Sequence, residues 1–174
     1  MKKRTIKKGY CIAAVVVLII VAGAAAYFNA QGNQKSSDGL SLTITRDGEE
    51  LAVYTLDEIQ KMPSVEMEAH LSSGSGEDVD GVYTGVPLSY ILKRTDPEIL
   101  TECTEFTARA GDSFSSALSA EDITGTDTVL VVYQENGKAL KSFQDGGTGP
   151  MRIMVAGDTY GNRSTQFLVG IECK

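Results

Sequence analysis

Few residues in this chain could do chemistry, and they are scattered: three cysteines, one histidine and no tryptophan in 174 residues. Cys11 lies in an apolar run, which leaves Cys103 and Cys173, both in segments that read as strands. They fit either one intramolecular bridge in an oxidising compartment or two separately buried thiols. One such pair without clustered histidine is a poor zinc signature. His70 falls on the polar phase of an alternating segment with no nucleophile elbow nearby, and reads as a surface residue. Glu77, Asp78 and Asp80 could attract a calcium ion, but they lack the ordered ligand spacing of an EF-hand loop and read as a solvated acidic loop. Tyr83, Tyr90, Tyr133 and Tyr160 read as core or interface rings. The densest run is C-terminal, where Gly146, Gly147 and Gly149 precede an apolar strand carrying Arg152, and the turn Gly161-Asn162-Arg163-Ser164 follows. The glycines suit either close approach of a ligand to the backbone or a loop needing positive φ. On its own terms Arg152 reads as a paired structural residue, and Arg163 as a solvated residue on a β-turn.

The elements that must position these residues begin after the N-terminus. Lys2, Lys3, Arg4, Lys7 and Lys8 precede nineteen uncharged residues, Tyr10 to Phe28. As a helix that run spans roughly 30 Å of hydrocarbon. Residues 1–9 are therefore expected as a cytoplasmic basic flank and 10–28 as a membrane anchor, with the remainder outside the cytoplasm. A cleaved signal peptide is the rival reading, because Ala24, Ala25 and Ala26 offer a cleavage site. Residues 29–39 are too polar and short to fold and read as a tether. Residues 40–174 then suffice for one domain with a proper core. Six of the 16 basic residues and none of the 23 acidic ones lie in residues 1–35, so ten basic face 23 acidic residues beyond them, a net charge of −13. Such a surface excludes nucleic acid and anionic lipid as natural partners.

Within this domain Leu40, Leu42 and Ile44 alternate with polar residues, the period of a half-buried strand. Thr55 and Glu58 form a capping box opening a helix that must end near Pro63. Val65–Leu71 alternates again, 72–81 reads as an acidic loop, and Pro87 suits the first turn of a helix to about Lys93. Cys103–Ala108 and Phe114–Leu118 are expected as strands around Gly111-Asp112, and Ser119 to Asp122 as the start of a short helix. Val129–Tyr133 is continuously apolar, as in a strand buried on both faces, and Asn136-Gly137 marks a hairpin. Met151–Val155 and Gln166–Ile171 supply the last strands. The expected class is α+β, dominated by mixed sheet.

In order, the Thr55–Pro63 helix, the tract Tyr83-Thr84-Gly85-Val86-Pro87-Leu88, the Phe106–Phe114 segment, the strand and turn of Val129–Leu140, and the strand Gly149–Val155 resemble the molybdopterin-binding domain of the sulfite oxidase family. The resemblance runs from Leu40 to Glu172. It implies a barrel-like mixed sheet with short helices, an oxidoreductase, molybdopterin as cofactor and a redox partner. It also implies that Gly161, Asn162, Arg163 and Ser164 form the turn that holds the cofactor phosphate, Arg163 with its planar fork, and that Arg152 matches a family arginine. Ser72 or Ser73 stands where the family has a molybdenum-ligating cysteine, and a serine hydroxyl is a poor ligand for a metal–oxo centre. The residues after it, Gly74 to Asp80, lack the family's asparagine-arginine pair and carry carboxylates that would repel a phosphate. The family's histidine before the glycine-proline strand is also missing, around Gln144 and Asp145. Export of a loaded domain uses a twin-arginine signal, whereas this chain has Lys3-Arg4. Two readings follow: a membrane-anchored molybdopterin oxidoreductase with an atypical or serine-ligated site, or a cofactor-free module binding a small ligand or a protein partner at the cell surface. The family name points to the first and the residues to the second.

Overall fold

Among the described residues, alternating and continuous apolar runs become ten strands, joined by helices of one or two turns. The computed structural model describes residues 40–72, 78–125, 129–156, 158 and 163–174, with backbone alone at 70–72, 78 and 79. The expected anchor and tether, Ser73, Gly74 to Glu77, Tyr160, Gly161 and Asn162 lie outside the described residues, as do the side chains of His70, Ser72 and Asp78. Among the described residues no helix is long and apolar enough to cross a membrane.

One sheet has the strand order β2 (Glu49–Thr55), β1 (Ser41–Arg46), β10 (Leu168–Cys173), β5 (Glu105–Ala110) and β6 (Ser115–Ser119). It is mixed, because β1 runs parallel to β10 while its other pairs are antiparallel. The second sheet orders β3 (Val65–Ser72), β4 (Asp78–Pro87), β7 (Val129–Glu135) and β8 (Lys138–Ala139), with β9 (Arg152–Val155) also paired to β7. As its apolar run predicts, β7 is buried from Val129 to Tyr133. Successive side chains of a strand point to opposite faces, so β7 feeds two clusters. Val129, Val131 and Tyr133 join the main core with Phe106, Ile91, Ile171 and Met151, whereas Leu130 and Val132 face the other way with Tyr83, Leu140 and Met154.

The helices are α1 (Leu56–Ile59), α2 (Leu88–Thr95), α3 (Ile99–Glu102) and α4 (Ala120–Thr124). The Thr55/Glu58 capping box forms as expected, and Ser119 with Asp122 makes a second one that opens α4. Several expectations need correction. The acidic loop is shorter than 72–81, because Asp78 to Gly81 already belong to β4, with Ser72 opposite Asp78 and His70 opposite Asp80. Pro87 sits at the N-cap of α2 rather than in its first turn, and that helix continues to Thr95. Cys103 is the C-cap of α3 and not a strand residue: its amide donates to the Ile99 carbonyl at 3.0 Å. The structure adds β2, an edge strand whose Leu51 and Val53 are exposed.

Candidate functional site

Two arginines carry the expected anion chemistry, and each is held differently from the sequence reading. Arg152 shares a phase of β9 with Met154, away from the main core and toward Tyr83. Only 6% of it is exposed, its guanidinium carbon lies 5.9 Å from the centroid of the Tyr83 ring, and its Nε is buried with no hydrogen-bond partner among the described residues. No carboxylate pairs with it among the described residues, which corrects the expectation of a paired structural arginine. Burial pulls its pKa down; the Tyr83 ring and Glu135 act in the opposite sense. Tyr83 in turn donates its hydroxyl proton to Glu135 Oε1 at 3.0 Å, and burial followed by that carboxylate pushes the phenol up to about 12.

Arg163 is half-buried, and its guanidinium is held by two carboxylates rather than left to solvent alone. Its backbone carbonyl accepts from Ser116 Oγ at 3.1 Å, and Ser116 also meets the buried Thr165 hydroxyl at 2.6 Å, which fixes this segment against β6. Nε and one terminal nitrogen donate to the two oxygens of Asp158, both at 3.0 Å, and the other terminal nitrogen donates to Asp122 Oδ1 at 2.7 Å. Asp122 Oδ2 meanwhile accepts from the amide and hydroxyl of Ser119 at 2.9 and 2.7 Å, so one carboxylate both caps α4 and binds the arginine. Those Ser119 bonds, and then Arg163, hold the Asp122 carboxyl at about 2. Asp158, and next Asp122, raise the Arg163 pKa above its already high value. Asp158 and its pairing with Arg163 were missed in the sequence, although a carboxylate five residues before an arginine across a turn is a visible signal. Ser164 follows with its hydroxyl buried and without a hydrogen-bond partner among the described residues.

The glycines ahead of β9 have an internal reason. Gly146 has φ +71°, while a Cβ on Gly147 would meet the Lys141 carbonyl oxygen at 2.2 Å, and one on Gly149 would meet Leu140 Cβ at 2.4 Å. They let this segment press on its own chain. The largest cleft among those described, about 490 Å³, opens beside it and is lined by Leu140, Phe143, Pro150 and Phe167 among others; Arg152 does not line it.

β3 ends at Ser72, one of the two serines expected at the family's cysteine position, and among the described residues no group of three His, Cys, Asp or Glu side chains could hold an ion. Cys103 and Cys173 are free thiols in the main core, whereas Val65, Met67 and Ala69 of β3 pack against the cluster on the opposite face. Burial, then the neighbouring Cys103 thiol, pushes Cys173 up to about 12, leaving it an inert thiol. This donor set does not fit a molybdenum centre. Of the tyrosines, Tyr83 and Tyr133 are core rings as expected and Tyr90 is partly exposed.

Residues 30–174 match the family described as the oxidoreductase molybdopterin binding domain. The fold is similar to the crystal structure of the sulfane dehydrogenase SoxCD from Paracoccus pantotrophus, with a TM-score of 0.63 and 20% identity. The match covers 79% of this chain and 39% of that one, so this chain spans about two fifths of its length. No curated protein sequence matches.

Proposed function

Because this chain belongs to the oxidoreductase molybdopterin binding domain family, we propose that it is a member without molybdenum: a membrane-anchored, extracytoplasmic domain that acts by binding rather than by redox chemistry. The carrying observation is the location of the thiols. The family resemblance implies a cysteine thiolate, a softer ligand than a serine hydroxyl, on the metal, yet Cys103 and Cys173 are sealed in the core and β3 ends in Ser72. Both arginines that could hold a cofactor phosphate are engaged internally, one beneath Tyr83 and one between two carboxylates.

The basic flank and apolar run of residues 1–28 support an anchor with the domain outside, and the surplus of 13 acidic residues beyond position 35 favours a partner presenting a basic surface. Protease added to intact cells should then remove the domain, and raised salt should weaken partner binding. Molybdenum and pterin content of the purified full-length protein decides the metal-free reading itself.

A further inference from the structure

We infer that Asp158 and Asp122 occupy at Arg163 the position a ligand's phosphate would take, so that the protein's own carboxylates close this guanidinium to anions. A guanidinium grips phosphate through a pair of parallel N–H donors. At Arg163 the pair formed by Nε and a terminal nitrogen is already bidentate to Asp158, and the remaining terminal nitrogen is bonded to Asp122. Two carboxylates against one cation leave the cluster net negative, so an anion approaching the remaining donors meets repulsion. Asp122 cannot swing aside without giving up the α4 cap, because its other oxygen is held by Ser119. The arrangement also accounts for a family-type turn with an arginine that need not be a ligand. Carboxylate geometry matches the guanidinium fork as well as phosphate does. Removing Asp158 would free two donors on Arg163, next in sequence to Ser164, whose buried hydroxyl has no partner among the described residues.

The inference rests on the family membership and not on the metal-free reading, which metal content decides separately. The test uses the full-length chain in detergent, with inorganic pyrophosphate as the probe and binding counted only where R163Q abolishes it. Wild type should show no such binding. Asp158→Asn, which keeps the shape and removes the charge, should bind at least about tenfold more tightly, the equivalent of about 1.4 kcal/mol. Asp122→Asn, which leaves Asp158 in place, should show a smaller gain. R163Q-sensitive binding in wild type as tight as in the Asp158 variant would overturn the inference, as would no gain in either aspartate variant.

Discussion

Arg152→Met separates a structural cation from one that awaits a ligand. Arg152 is 6% exposed, its Nε has no hydrogen-bond partner among the described residues, and its guanidinium faces the ring of Tyr83. Replacing buried ions by well-packed apolar groups of similar volume is neutral or stabilising by about 1–4 kcal/mol. Against that stands the cation–π contact, worth up to about 2 kcal/mol when desolvated. Methionine fills most of the volume, and its sulfur against the Tyr83 ring returns about 0.3–1.5 kcal/mol. With the cation–π contact counted in full, the balance runs from a loss of about 2 kcal/mol to a gain of about 3.5 kcal/mol. For a domain of this size such a gain raises Tm by roughly 10 °C. Thermal unfolding followed by circular dichroism, in buffer free of phosphate and sulfate, is the assay. Destabilisation beyond about 2 kcal/mol would refute the reasoning, because it would show that the guanidinium has a favourable partner that the internal geometry does not explain.

Further outcomes follow from the same structure. A Cβ at Gly85 would sit 2.6 Å from the Val131 carbonyl oxygen and 2.8 Å from Val132 Cα, both backbone atoms of the paired strand, so Gly85→Ala should cost about 2 kcal/mol in chemical denaturation. The Asp122 carboxyl is held at about 2 in the folded protein, below its ordinary 3.8, so its contribution is complete above pH 4 and lost as pH falls toward 2. Asp122→Asn should therefore be less stable at pH 6 and flatten the acid limb of the stability profile; an unchanged limb would show that the carboxylate is not linked to folding. Cys103 and Cys173 should resist iodoacetamide at pH 8 in the folded protein and both react, without added reductant, once it is unfolded. Thiols that fail to react after unfolding would mean that they had formed the bridge.

What could be read in the sequence was what local pattern controls. The alternation at Leu42 and Ile44, the apolar run Val129–Tyr133, the Thr55/Glu58 box and the Asn136-Gly137 hairpin all appear in place. The strand β2 escaped notice because it lies at an edge with apolar Leu51 and Val53 on its exposed face and half-buried Ala52 and Tyr54 on the other, so hydrophobicity does not alternate along it. Helix α3 is a single turn, too short for any period, and its omission put Cys103 in a strand. Carboxylates hid the start of β4, whose pairing with β3 continues to Asp78 opposite Ser72. At the candidate site, both arginines were recognised but their surroundings were not. Arg163 meets Asp122 across 41 residues, and Arg152 meets Tyr83 across the sheet, contacts that only the assembled strands create.

The most direct test of the central claim is the molybdenum and pterin content of the full-length protein, purified from membranes of its own host under conditions in which other molybdoenzymes of that cell are loaded. The account predicts neither above background. One molybdenum with one pterin per chain would contradict it, and would mean that a ligand other than Cys103 or Cys173 reaches the metal.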